Sequence, residues 1–551
     1  MKSKLGIGMA IASFLLISTG LWSTTPGTSQ NVQLVGQNTL FNRGMNAALA
    51  IFDHYLYVGS RTDGSSRCGI GDPRRTTTGL NSCLHPNPGV LVLDINNPAA
   101  PTLVNEFGDA FTTGTFAGQT SRELRVWPEQ KLLMIMYFRC SSIIHACTRP
   151  ATDDWRIRFF DLSDPVHPAL VSTYVPPSKP HEMFLWVDPN KANRALLFLS
   201  TPNIFADANP NLIVTDISNA RKGIFTQIAQ GNWNNRFAGT DQANYPFDAT
   251  SRDGCGPYDC NLFVHSMGVK ADGTLTFLAL EAGHFLVLDT SQVAAGRRNP
   301  QLVLLTDPDD RPVWLQNPPQ PDAVPNVSPN DCARVVSTSA GPLEKDCPNS
   351  HSAVKVPGRK LALTTDEVYG TFTFAAFGCR WGWARLIDIS DPSQPFITGE
   401  YMIDENNLSF CGTPADDAVT ESTRSYSSHN PTLTQNLAII DWHSGGLQII
   451  DTSDPTHPVQ AGFFVPGILA TPTLVANEDP ALSQGTDSRN NKAVFWSYPI
   501  INNGLIYAVD VRNGLYVFQY TGPHAAEVSG ITFLEGNSNL GDAVALDKNQ
   551  Q

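Results

Sequence analysis

Charge is scarce in this sequence and unevenly signed. Only 16% of the 551 residues are charged, and 37 basic side chains stand against 51 acidic ones, a net charge of −14. A surface with that balance repels phosphate backbones, which argues against nucleic acid as a partner. Beyond the N-terminus there is no long apolar run, so no segment of the mature chain is expected to span a membrane. The phosphate-cradling GxxxxGK[ST], the nucleophile-bearing GxSxG and the zinc-binding HExxH patterns are all missing. A paired-carboxylate signature for polysaccharide cleavage is not evident either. The doublets Asp153-Asp154, Asp309-Asp310 and Asp416-Asp417 fall in loop sequence and read as solvated turns.

Turn formers are plentiful, with 42 Gly and 40 Pro, and imply many short strands. The first twenty residues read as a signal peptide. Lys2 and Lys4 precede an apolar run from Leu5 to Leu16, and small residues follow at Ser18 to Gly20. An uncleaved anchor is the alternative, although the run is short for a spanning helix. The expected location is therefore outside the cytoplasm, in a periplasm or beyond the cell. Ten cysteines fall into five neighbouring pairs: Cys68 with Cys83, Cys140 with Cys147, Cys255 with Cys260, Cys332 with Cys347, and Cys379 with Cys411. Export and an even count favour disulfides over metal thiolates, although sequence does not fix their connectivity.

One motif recurs. It reads GVLVLDINNPAAP from Gly89, RFFDLSDPVHP from Arg158, RLIDISDPSQP from Arg385 and QIIDTSDPTHP from Gln448. Weaker copies begin at Leu212, Phe285 and Leu515. Each opens as a continuous apolar run, which suits a strand buried on both faces. Asp closes the run, where its carboxylate can accept turn amides, and Pro ends the ladder. A two-strand unit precedes each copy and another apolar stretch follows it, so each repeat supplies four antiparallel strands. The anchors Asp94, Asp161, Asp216, Asp289, Asp388, Asp451 and Gln519 lie further apart than the roughly 40–50 residues of a bare four-strand repeat. The excess is loop.

The motif resembles the LVIVD-repeat family of β-propellers, and the resemblance covers the chain from about Asn31 to Pro523. It implies an exported, all-β protein folded as a single seven-bladed propeller over residues 31–534, with residues 535–551 as a C-terminal tail. It implies little about chemistry. Val32 to Gly36 is expected to complete the last blade from the N-terminus, with Glu527 to Leu534 as the competing outer strand.

Antiparallel geometry sorts the connections by face. The long insertions, at 62–88, 140–154, 230–260, 307–349, 404–424 and 470–491, all sort to the face on which the innermost strands begin, and every cysteine falls in or beside one of them. A stapled, elaborated face is where a protein or small-molecule ligand is expected to bind.

Four successive repeats begin their innermost strand with histidine: His181, His265, His351 and His429. The corresponding places elsewhere are Asn46, Arg122 and Trp496. Matching positions should bring the four imidazoles toward the axis, where neutral nitrogens can hold one Fe, Cu or Zn ion. Glu281, Asp366, Glu367 and Asp441 end the adjacent strands and are candidates to orient the rings. His284 and His443 lie in neighbouring turns, at the channel mouth with Arg122 and Trp496. The layout is similar in position to carotenoid cleavage oxygenases and to selenium-binding proteins, which include methanethiol oxidases. Two function classes follow: an extracytoplasmic binding or scaffolding propeller, or a metal-dependent oxidoreductase. The bland alternative for the histidines is a wet, polar channel.

Overall fold

The computed structural model describes residues 27–62, 65–66, 83–84, 87–108, 119–139, 155–201, 210–232, 264–280, 284–306, 313–314, 350–367, 382–407, 409–410, 413, 426–467 and 493–548. Strands dominate them, and the three α-helices, Ser291–Ala294, Ala525–Ser529 and Ala543–Lys548, are each under two turns. No helix among the described residues is long and apolar enough to cross a membrane.

The strands form successive sheets, each built on four antiparallel strands, and three of them carry a fifth strand at an edge. In the third, Met183–Val187, Ala195–Ser200, Leu212–Asn219 and Ile224–Gly231 pair in chain order. The innermost strands of the series are Asn46–Phe52, Gln119–Trp127, Met183–Val187, Val264–Val269, Ser350–Lys355, Pro431–Leu433 and Ile500–Asn502. In the last sheet the outer position belongs to Val32–Asn38, which pairs with Gly514–Tyr520, so the N-terminal strand completes it. The competing segment does not: Ala525–Ser529 is helical, and Phe533–Glu535 pairs with the innermost strand instead.

The third strand of each sheet is the apolar motif, and burial explains its composition. Leu212, Ile213 and Val214 are fully buried, as are Val90, Leu91, Val92 and Leu93. Side chains on both faces of such a strand meet a neighbouring sheet. One apolar cluster packs the second sheet on the third, another the third on the fourth, and so on round to Leu49, Val58 and Leu91 of the first sheet against Val509, Leu515 and Val517 of the last. Burying each Val or Leu is worth roughly 1.5–3 kcal/mol, so the ring is held chiefly by its inter-sheet clusters. The anchor aspartates act as expected. The carboxylates of Asp94, Asp216, Asp388 and Asp451 accept the N–H two residues on, at 2.7–2.9 Å.

Hydrogen bonds link neighbouring sheets near the axis. The Ser200 hydroxyl donates to the His265 carbonyl (2.7 Å), Ser266 to the His351 carbonyl (2.6 Å) and Thr432 to the Pro499 carbonyl (2.6 Å). The Asn46 amide donates to the Asp510 carbonyl (3.1 Å), joining the first sheet to the last. The succession closes on itself as a β-propeller.

The C-terminal segment lies inside this ring. After Phe533–Glu535 pairs with Ile500–Asn502, the chain crosses Pro431 at Gly536, where a Cβ would collide with the Pro431 carbonyl. Leu185 N–H donates to the Asn537 carbonyl (3.1 Å). The Asn539 side chain accepts from Val187 N–H (2.7 Å) and donates to the carbonyls of Val187 (2.8 Å) and Ala271 (3.0 Å). Asp547 accepts from Gly358 N–H (3.3 Å) and faces Lys355 (3.6 Å). The expected boundary at residue 534 thus falls within an inner strand, and the residues beyond it tie the third, fourth and fifth sheets together. Asn539→Ala leaves a buried N–H and two carbonyls without their partner and is expected to destabilise the protein by about 1–3 kcal/mol. Urea unfolding measures this, and an unchanged midpoint would contradict the tail's structural role.

Candidate metal centre

Five inner strands reach the axis through the same irregularity. Opposite Arg122, His265 and His351 the strand register slips by one residue, so that each is the extra residue of a β-bulge. His181 and His429 show the hydrogen bonds of the same arrangement. His181 N–H donates to the Ser200 carbonyl while Ser200 N–H donates to that of Glu182, and Asp441 stands in the same relation to His429 and Asn430. A bulge re-aims side chains. Here it lets two successive residues approach the axis, giving an upper tier of Arg122, His181, His265, His351 and His429 and a lower tier of Glu123, Glu182, Ser266, Ser352 and Asn430.

The four predicted histidines stand together. Ring centroids are 4.2 Å apart for His181 and His265, 3.8 Å for His265 and His351, and 4.1 Å for His351 and His429. His443 joins them, 5.0 Å from His429, and Trp496 lies 5.5 Å from His429 under the Arg61 guanidinium. Arg122 stacks over Phe138 and adds positive charge beside His181. Asn46 stays outside the cluster, accepting a hydrogen bond from Arg43.

Glu367 is the hub. Its Oε1 lies 3.1 Å from His429 Nε2 and 3.2 Å from His443 Nε2, and its Oε2 lies 3.3 Å from His351 Nε2. The sequence cast it as an orienting group. The structure sets its carboxyl oxygens as close to the imidazole nitrogens as those rings are to one another, so it could share an ion with them. Ligand atoms within 4.8 Å of one another fall into two sets, His351 with Glu367 and His429, and Glu182 with His265 and His351.

Two other expected orienting residues stay apart from the rings. Asp366 pairs with Arg385, which also contacts Glu400 at 3.1 Å, because adjacent residues at a strand end face opposite ways and Glu367 takes the axial side. Neither carboxyl oxygen of Asp441 meets a hydrogen-bond partner among the described residues. Burial, and then Asp510, hold this carboxyl well above the carboxylate range. Glu281 lies outside the described residues. His284 begins a strand, but its side chain and those of all ten cysteines lie outside them; Cys83 has only its backbone described.

The rings and the carboxyl are coupled: burial disfavours protonated rings, while attraction to those rings is what keeps Glu367 low. Burial pushes His265 down to about 4 and His429 down to about 3, and holds His181 and His351 well below the usual imidazole range. Burial raises Glu367, but His351 and His429 outweigh it and keep the carboxyl well below its ordinary value.

The lower tier escaped the sequence reading. Burial, and then Glu123, raise Glu182 well above the carboxylate range, and Tyr498 donates its hydroxyl hydrogen to Glu182 (3.2 Å). Arg125 pairs with Glu123 (3.1 Å) and donates to the Met183 carbonyl (3.1 Å). Glu535, from the tail, interacts with both Arg125 and Glu123. The available signal was the polar residue after each histidine, since two polar residues heading an apolar strand mark a bulge.

The LVIVD repeat profile matches residues 87–109, 367–403 and 436–464. No curated protein matches the sequence. Similar solved structures include Chaetomium thermophilum Sqt1 (11% identity over 87% of this chain and 86% of that one, TM-score 0.39). Others are the Pseudomonas aeruginosa periplasmic gluconolactonase (12%, 84% and 93%, 0.43) and a hypothetical selenium-binding protein from Sulfolobus tokodaii (11%, 65% and 66%, 0.38). Likeness at that level carries no functional argument.

Arg125→Ala removes a buried cation set among three buried carboxyl groups and is expected to cost about 3–5 kcal/mol, as for a broken buried ion pair. A loss below about 1 kcal/mol in chemical denaturation would contradict the electrostatic account of the lower tier.

Proposed function

We propose that this LVIVD-repeat β-propeller is an exported, seven-bladed metalloprotein. Its axial site holds a first-row transition metal through His351, Glu367 and His429, with His443 beside them. Two imidazoles and a carboxylate with open positions are the donor set of non-haem Fe(II) centres. The reading is therefore a metal-dependent oxidoreductase, with Zn and Cu as competing ions. Loops stapled by disulfides at the channel mouth would select a small-molecule ligand.

One observation carries the reading. The Asn430 amide donates through Nδ2 to the Trp496 carbonyl (3.2 Å), so its Oδ1 faces Ser352 and accepts that hydroxyl's hydrogen (2.8 Å). The Ser352 oxygen then accepts from His351 Nδ1 (2.9 Å). In a neutral ring this leaves Nε2 as a bare lone pair, assigned from the network. That lone pair faces the Glu367 carboxyl at 3.3 Å. Two acceptors held face to face repel unless a proton or cation stands between them. A metal ion satisfies these two acceptors together with the His429 and His443 nitrogens beside the same carboxyl, which a single proton does not. When bound, the metal supplies Lewis acidity or redox change. The chain's own residues fix the ring tautomer, present the donors and surround them with protein.

Elemental analysis tests this on full-length protein produced with iron, copper and zinc available. At least one tightly held transition-metal ion per chain is expected. Glu367→Ala should weaken retention by about 100-fold or more, since even outer partners of metal ligands are worth about 10–100-fold. Metal at trace level in the wild type would overturn the reading and favour a binding or scaffolding propeller acting through its loop-bearing face.

A further inference from the structure

We infer that the axial centre takes two metal ions rather than one, the second held by His181, His265 and Glu182. The inference rests on the metal reading above and extends it to residues on the other side of His351.

The geometry begins with His181 and His265, whose Nε2 atoms lie 2.8 Å apart. Two neutral imidazoles meet so closely either through one N–H···N hydrogen bond or as neighbouring ligands of one ion. Ligands at right angles with bonds of about 2.0–2.1 Å stand about 2.9 Å apart, so the observed spacing needs almost no rearrangement to bind. A Glu182 oxygen lies within 4.8 Å of the ligand atoms of His265 and His351. His265 and Glu182 thus offer one imidazole and one carboxyl to a single ion, and His181 adds a second imidazole through its 2.8 Å approach to His265.

Both sets are also built alike. In each, a bulge-headed inner strand supplies a histidine and the next blade supplies another. The His265 and His351 rings, one from each set, are 3.8 Å apart, so the two positions adjoin. Paired ions at such spacing clamp both oxygens of a substrate or activate a bound water between them.

Glu123, Glu182 and Glu535 gather round Arg125, and all four side chains are buried, so carboxyl oxygens are plentiful in the lower tier and one of them, on Glu182, lies within reach of His265. Tyr498 donates to Glu182 Oε2, which leaves Oε1 available to a metal.

Titration of chelator-treated, full-length protein with Co(II), read by ligand-field absorption and by elemental analysis after desalting, tests the inference. Two equivalents are expected for the wild type. Glu182→Gln, which preserves side-chain volume, should bind one, and so should the partly exposed variant His181→Ala if the first fails to fold. One equivalent in the wild type, unchanged in both variants, overturns the second site and leaves the first standing. No bound cobalt overturns both. Two equivalents in the wild type and in His181→Ala would place the second ion elsewhere and likewise overturn the assignment.

Discussion

Much of this molecule depends on a one-residue irregularity repeated at the head of its inner strands. A regular strand would present alternate residues to the axis, and the apolar clusters between blades would claim the rest. The bulge adds one residue and turns two successive side chains inward. Histidine takes the first place in four consecutive blades. The second place goes to a residue that serves the first: Ser352 fixes the tautomer of His351, and Asn430 fixes Ser352. The ring supplies the curvature that makes these tiers converge, and the inter-blade clusters supply the energy that holds them there.

Convergence concentrates polar groups where water is scarce, and the protein answers with pairing. Arg385 lies between Asp366 and Glu400. Arg125 lies among Glu123, Glu182 and Glu535, the last delivered by the C-terminal strand. Glu367 instead meets three imidazoles, those of His351, His429 and His443, within 3.3 Å. Burying an ionised carboxylate among neutral acceptors is costly unless a cation is present to share. The axial centre is best understood as a pocket of organised donors, with the tail closing the blades around it on the side of Asn539.

The fold was legible because the signal is periodic. Apolar runs closed by Asp94, Asp161, Asp388 or Asp451 mark third strands wherever they occur, and the turn amides confirm why Asp stands there. The histidines were legible for the same reason, since each heads an equivalent strand. What lay beyond reach was everything without a period. Glu367 and Asp366 are neighbours in sequence with opposite fates, and only the strand's facing decides between a place among the axial imidazoles and a pairing with Arg385. Glu182 follows a histidine as Ser266 and Ser352 do, but its importance depends on Tyr498 and Arg125 from other blades. Glu535 and Asn539 come from a segment that matches no repeat, so nothing local foretold its place on the axis.

The central claim is that the cluster is a metal centre, and anomalous X-ray diffraction at the metal edge examines it most directly. Crystals of protein loaded with Fe(II) without oxygen should show a peak on the axis about 2.0–2.2 Å from His351 Nε2, His429 Nε2 and a Glu367 oxygen. Peaks confined to the protein surface, with Glu367 bridged to the imidazoles by protons or ordered water alone, would contradict the account.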